Sequence, residues 1–400
     1  MRRVVVTGLG AVCSIGSGIT RVLDGLQTGR SGLVHMPEMA ELGFRCAVYG
    51  PVQDFDPYRL DRHARQTLSP AGEYALAAAL EAVADAQLPA DLLQSPRTAV
   101  IIGTVMGGLQ QVSSANVNHS SGGAAAAVES TIANEVATAL GTGGRAYCIS
   151  SACSTGLDSI GHAYELIAFG QQERAICGSS DHDLWKQLGP SYENWGGMPT
   201  SYNAQPSAAC RPYDQRREGV VMAAGAGILV LETLEAAEAR GAHIYAEAAG
   251  YGCTNDGRDM FQPSGEGSAR ATQQALSAAA RLGVERVDYV NTHGGASLLG
   301  DRVEIAWLKD VFGSSGVPPL SSTKGQTGHA QGGAGSLEAV FTLLMLEHGF
   351  LAPTANLEEV DPACAGVPHV REVTSARPRA ALTVNAGLGG TNVSFIFRKL

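Results

Sequence analysis

Short runs rich in Val, Ile and Ala alternate along the chain with longer Ala/Leu/Glu segments in which apolar residues return every three or four positions. Unbroken apolar runs predict strands covered on both faces, and the longer segments predict helices, so the pattern is that of an α/β protein. Strands are predicted over residues 3–7, 98–102, 147–150, 174–179, 227–231, 244–251, 289–291, 320–322, 380–385 and 393–397. Helices are predicted over 71–86, 153–169, 267–282, 300–312 and 335–346. Two segments start alike, VVVTGLG at the N-terminus and AEAAGYG near residue 245, each read as a strand running into a glycine turn. This predicts an internal duplication with halves 1–245 and 246–400. Residues 113–127, SSANVNHSSGGAAAA, form the one low-complexity stretch and read as a surface loop or a loose helix start.

Composition narrows the picture. Of 400 residues 50 are glycine and only 16% are charged, where an average chain has about 7% glycine and about 25% charge. Low charge with ample apolar content excludes intrinsic disorder, and no Gly-X-Y period exists to form collagen. A net charge of −10 argues against binding nucleic acid through a broad basic face. No apolar window is long enough to span a membrane, and the opening MRRVVVTGLGAV reads as a buried strand rather than a signal peptide. The eight cysteines include no C-x-x-C pair, which disfavours zinc. Reduced thiols and a cytoplasmic location are expected.

Four segments carry candidate chemistry. In YCISSACSTGLDSIGHAYELI a buried strand leads to Cys153 at the expected first turn of an apolar helix, where the helix N-terminus would lower the thiol pKa. In VDYVNTHGGASLLGD a strand runs out into His293 and two glycines. SSTKGQTGHAQGGAGSLEAV places Lys324 and His329 in a glycine-rich loop before a helix. NAGLGGTNVSFIF is a glycine turn opening into the last strand, where Gly387, Gly389 and Gly390 would let backbone N–H groups face a developing negative charge. Each alone has an ordinary structural reading: a buried cysteine, a hydrogen-bonded histidine, a tight bend. Together they favour a site.

The four segments, with RVVVTGLGAVCSIG, ARGAHIYAE, GYGCTNDGRDMFQPSGEG and LLMLEHGFLAP, resemble the elongating β-ketoacyl-ACP synthases of the thiolase fold, the type I enzymes in particular. The resemblance runs nearly end to end. It implies a five-layered α-β-α-β-α body of two related halves, and a dimer formed with itself or with a homologous chain-length factor. It also implies Cys153 as the nucleophile that takes an acyl chain from acyl carrier protein, and His293 and His329 as the pair that stabilises the enolate formed from a malonyl thioester. Lys324 would set the electrostatics, with Glu304 as its acidic neighbour, and the backbone N–H groups of Cys153 and Leu388 would form the oxyanion hole. No cofactor is implied beyond the phosphopantetheine of the carrier protein.

Departures from the family pattern point to specialisation. Ala386 and Leu388 stand where NSFGFGGTN has phenylalanines, which predicts a wider acyl pocket and substrates of the polyketide or polyene kind. Gly295 replaces one of the two threonines of H-G-T-S-T, leaving Ser297 to hold pantetheine. The segment from about 110 to 145 is shorter than in type I enzymes and lacks their basic residues, so the run YRLDRHARQ, with Arg62 and Arg65, is the candidate docking patch for an acidic carrier protein. Three other readings compete. A non-catalytic chain-length factor typically lacks the cysteine, a thiolase would need a second cysteine near the C-terminus, and TGLGAVCSIG lacks the third glycine of a dinucleotide-binding loop.

Overall fold

The computed structural model describes residues 1–109 and 128–400. The low-complexity stretch at 113–127 and the first part of the shortened segment lie outside the described residues.

Ten strands follow one path through a single sheet: β1 (Val4–Cys13), β2 (Thr98–Gly103), β3 (Ala146–Tyr147), β4 (Arg174–Asp181), β5 (Gly225–Thr233), β6 (Ala246–Asn255), β7 (Tyr289–Asn291), β8 (Leu320–Ser321), β9 (Ala380–Ala386) and β10 (Thr391–Arg398). The order is β8-β7-β9-β10-β6-β1-β5-β4-β2-β3. Numbered within each half, both halves read third-second-fourth-fifth-first, with the same parallel and antiparallel neighbours. Within the sheet, the described strands of the two halves meet through a short antiparallel contact, Val5 opposite Glu247 and Val6 opposite Ala246.

Period-two alternation sorts the strand side chains into separate cores. Ile101, Leu229 and Leu231 point to a central core, while Val100, Ile102, Ile228 and Val230 point to an outer one. The central core lies between the two sheet halves around α3 (Thr155–Ala168) and α6 (Ala334–His348). Every residue of α6 from Ala334 to Leu346 is buried, as expected of a helix covered on all sides. Outer layers are α1 (Pro70–Asp85) and α2 (Ser130–Leu140) on one half, and α4 (Glu266–Ala280) and α5 (Gly300–Phe312) on the other. The stack is therefore α-β-α-β-α, as the resemblance implied.

The glycines of VVVTGLG and AEAAGYG do not make turns. They lie within β1 and β6, where a Cβ on Gly8 or Gly10 would fall 2.2 or 1.9 Å from the carbonyl oxygens of Ala82 and Ala78 in α1. Gly250 and Gly252 stand in the same relation to Ala275 and Ala271 of α4, at 2.2 and 2.0 Å. The repeated glycine thus serves helix-on-strand contact, and this explains why the two strands are longer than the apolar runs predict. α2 and a second helix, Trp185–Asn194, were not anticipated; the latter contains Pro190 and carries few buried residues, so its periodicity is weak.

Candidate active site

The chain arrives at Cys153 through a strained turn. Ala152 has φ 51°, a left-handed value that a non-glycine residue adopts only when its surroundings enforce it. The enforcement is local. Thr155 Oγ1 accepts from the Ser151 N–H at 2.8 Å and donates to the Ala152 carbonyl at 2.6 Å, and Ser154 Oγ donates to the Thr391 carbonyl at 2.9 Å. Cys153 therefore sits just before the cap residue Ser154 of α3, not inside its first turn. Its sulfur is faced by the N–H groups of Leu388 and of Cys153 itself. The expectation of a depressed thiol pKa is overturned: burial pushes the thiol up to about 11, and the Lys324 charge and the two N–H groups only moderate this.

His293 follows β7. Its N–H and that of Gly294 donate to the two carboxylate oxygens of Glu304, each at 2.8 Å, and Tyr213 donates its hydroxyl to the same group at 2.7 Å. Glu304 thus fixes the backbone under His293. Glu304 lies within reach of the Lys324 charge, as an acidic neighbour, but the direct ion pair is made elsewhere. Lys324 Nζ pairs with Glu338, a residue of α6, and donates to the His293 carbonyl at 2.6 Å. Lys324 and Glu338 are both almost wholly buried, and burial raises the pKa values of Glu304 and Glu338.

His329 lies in the loop between the single helical turn Lys324–Thr327 and α6, pinned by its N–H to the Val221 carbonyl at 2.8 Å and by its carbonyl to the Ala223 N–H at 2.9 Å. The two imidazoles face edge to plane, with ring centroids 5.3 Å apart and an interplanar angle of 81°. Their hydrogen bonds assign the tautomers. His329 Nδ1 accepts from the Gln331 N–H at 3.1 Å, and His293 Nδ1 faces the amide nitrogen of Asn385, a donor only, at 3.3 Å. The proton of each neutral ring therefore rides on Nε2. Burial holds both pKa values well below the usual imidazole range, with Lys324 adding to it and His329 acting further on His293. The Lys324 charge thus reaches two neutral N–H donors and a thiol that is itself bracketed by backbone N–H groups. Such donors can hold oxyanions without an acid or base of matched pKa.

Glu338, Asn385, Gln331 and Tyr213 escaped the sequence reading. Glu338 had a visible signal, as the one charged residue in the run AGSLEAVFTLLML. Asn385 links it to the site by donating to Glu338 at 2.7 Å.

Comparison with known proteins decides the family. The N-terminal domain of β-ketoacyl synthase matches residues 1–237 and the C-terminal domain matches residues 245–358. The chain belongs to the β-ketoacyl synthase family. It is 40% identical to 3-oxoacyl-[acyl-carrier-protein] synthase 1 of Escherichia coli over the whole of both chains. It is 38% identical to the enzyme of that name from Haemophilus influenzae, covering 100% of this chain and 99% of the other. Among solved structures, the ishigamide ketosynthase/chain length factor superposes with TM-score 0.91 at 31% identity, covering 100% of this chain and 99% of that one. A type II PKS acyl-carrier protein in complex with its ketosynthase, bound to a hexaketide, gives TM-score 0.91 at 29% identity with full coverage of both chains.

At the positions where this β-ketoacyl synthase departs from the family pattern, the structure is specific. Glycine supplies the turn geometry at Gly389 and Gly390, with φ 88° and 80°, but the glycine N–H groups are used elsewhere: Gly387 donates to Thr391, Gly389 to Met260 and Gly390 to Gly387. Leu388 is left to face the sulfur, and its side chain is 42% exposed. A cavity of about 30 Å3 beside Ala386 is bordered by His293, Glu304 and Trp307, so the room left there is water-sized and on the histidine side. Toward solvent, Tyr192, whose hydroxyl feels the Cys153 charge, is followed by Trp195 at 5.7 Å and Phe261 at 4.8 Å between ring centroids, an aromatic row the sequence reading did not foresee. Ser297 Oγ accepts from the N–H of Gly300, the first residue of α5, at 3.0 Å, which leaves the hydroxyl proton to donate. Arg62 is exposed at the start of the helix Arg62–Thr67, and Arg65 lies over the Tyr58 ring at 4.8 Å. Among the described residues, no helix is long and apolar enough to cross a membrane.

Proposed function

We propose that the chain condenses a malonyl unit with an acyl group held as a thioester on Cys153, giving a 3-oxoacyl-ACP two carbons longer and CO2. In the first half, the Cys153 sulfur displaces the carrier thiol; the acyl C–S bond to the carrier breaks, one to Cys153 forms, and the thiol proton leaves with the carrier. In the second, the malonyl C–COO⁻ bond breaks and its electron pair passes into an enolate whose oxygen takes the Nε2–H groups of His293 and His329. The enolate carbon attacks the acyl-cysteine, the N–H groups of Cys153 and Leu388 hold the oxyanion, and the C–S bond to Cys153 breaks to return the sulfur. The observation that carries this reading is the facing pair of neutral histidines, both with Nε2–H, and a nucleophile bracketed by backbone donors, all three within reach of the Lys324 charge. Burial keeps both rings neutral and the Lys324 charge adds to it, so Lys324 acts as a tuning group rather than a proton donor. The scheme uses no cofactor beyond the carrier's phosphopantetheine, for which Ser297 offers one donor.

Cys153→Gln tests it. The variant is expected to lose condensation while still releasing CO2 from malonyl-ACP, whereas adding His329→Ala removes both. A Cys153→Gln enzyme with no decarboxylation overturns the assignment of the histidines.

We read the substrate as a polyketide or polyene acyl chain, on the strength of the exposed Leu388 and the aromatic row beyond it, since the wider space expected at Ala386 is only water-sized. The opposite result, the same preference for saturated acyl-ACPs as an ordinary type I enzyme, rejects this. Carrier docking is assigned to Arg62 and Arg65, because Arg62 is exposed on a chain of net charge −10 and the carrier is acidic; charge reversal at both is expected to raise KM for the carrier. A dimer, with itself or with a chain-length-factor homologue, is expected by analogy with the family, and native mass measurement distinguishes the two. Eight free cysteines fit a reducing, cytoplasmic setting.

A further inference from the structure

Asp181 ends β4 inside the protein with no exposed surface. Its carboxylate accepts from the Thr104 hydroxyl at 2.7 Å, from the Val105 N–H at 3.2 Å and from the Gly332 N–H at 2.7 Å. Burial pushes its pKa up to about 7, against the pull of these donors. An acid with this little solvation is costly to keep unless its geometry is used, and the scheme above gives it no part.

Its placement supplies one. Gly332 follows Gln331, whose N–H donates to His329 Nδ1 and whose φ of 52° is left-handed. That N–H decides which nitrogen of His329 carries the proton. The turn that aims it is held from below by Asp181, and the fit is close: a Cβ on Gly332 would lie 2.5 Å from Asp181 Oδ2. On its other side Asp181 grips Thr104, whose hydroxyl oxygen accepts from Gly107 at 2.9 Å, so one carboxylate ties the histidine turn to residues 104–107. Its charge also opposes that of a Cys153 thiolate, which places it within electrostatic reach of the nucleophile.

We propose that Asp181 is a positioning residue for His329, holding the 329–333 turn so that the Gln331 N–H fixes the Nε2–H tautomer needed to receive the enolate. The inference rests on the reading of His329 given above. Replacing Asp181 by Asn keeps the size, but the amide must set an NH2 against either Gly332 or the Thr104–Val105 side, so one contact is lost.

The test is Asp181→Asn, made in the full-length chain and in the Cys153→Gln background. NMR of the histidine ring nitrogens is expected to show His329 shifting from one tautomer to a mixture. The kcat of malonyl-ACP decarboxylation is expected to fall about 10- to 100-fold, as misplacement of a reacting group does, with KM little changed and Cys153 acylation not slowed, since the lost charge opposed the thiolate. Thr104→Val, which removes a contact on the far side, is expected to leave the His329 tautomer alone. If Asp181→Asn does not fold, Gly332→Ala presses on the same contact from the opposite side and is expected to give the same two changes. A folded variant with the parent tautomer and parent decarboxylation overturns the proposal, as does an equal loss in both half-reactions. If the Cys153→Gln parent itself fails to decarboxylate, the functional reading falls, while the NMR arm still decides whether Asp181 sets the His329 tautomer.

Discussion

Lys324 and Glu338 form a buried ion pair beneath His293, and Asn385 extends it by donating one amide nitrogen toward both Glu338 and the His293 ring. The pair couples the central helix α6 to the turn that leads to His329, and the Lys324 bond to the His293 carbonyl ties in the separate loop after β7, so the site is fastened to the most buried element of the fold.

Removing one partner of such a pair strands the other. Glu338→Ala is expected to cost about 3–5 kcal/mol of stability, read from urea unfolding. The double variant Lys324→Met with Glu338→Leu is expected to recover most of that loss while leaving condensation abolished. Recovery of activity in the double variant would show that the pair is structural only.

With the Cys153 thiol raised to about 11, only about one sulfur in ten thousand is ionised at pH 7. Alkylation by iodoacetamide is therefore expected to be slow at neutrality and to rise roughly tenfold per pH unit up to about pH 10. A rate that levels off below pH 9 contradicts the burial argument.

The histidines titrate in the opposite sense to a stabilised cation. Their folded pKa values lie below the unfolded value, so below about pH 6.5 the unfolded state binds more protons and stability falls with acid, by about 1.4 kcal/mol per pH unit for each ring. Asp181 and Asp301, raised to about 7, favour the folded state in the same range and offset this in the whole protein. The difference is the clean readout: His329→Asn is expected to lose less stability between pH 7 and 5.5 than the parent.

Phenylalanine can be restored at the two departing positions, with different consequences. Leu388 is partly exposed, so Leu388→Phe is expected to fold normally and to slow acyl transfer from bulky unsaturated carriers more than from short saturated ones. Ala386 borders a cavity of only about 30 Å3, so Ala386→Phe must displace Trp307 or its neighbours and is expected to cost about 1–3 kcal/mol. Thermal unfolding and acyl-transfer rates, measured on both variants, separate the two effects.

Much of the layer architecture was legible from the chain. Helix Gly300–Phe312 and strand Tyr289–Asn291 were predicted to the residue, because apolar period and flanking glycine agree there. Strand β3 was placed too late, since only Ala146 and Tyr147 pair and the next residues bend toward the nucleophile. The helix Trp185–Asn194 was missed where polar positions and an internal proline blur the pattern.

The sequence alone determined the strand-and-helix alternation, the likeness between the two halves and the identities of Cys153, His293, Lys324 and His329, because local period and motif spacing are properties of neighbouring residues. Only the tertiary structure decided how those groups behave. Solvation and distant charge are set by what packs around a group, so the fold turned an expected reactive thiolate into a buried thiol and gave Lys324 a direct partner, Glu338, that lies in a different helix from its acidic neighbour Glu304. The same packing set the Nε2–H tautomer on both histidines, through donors that no local pattern marks.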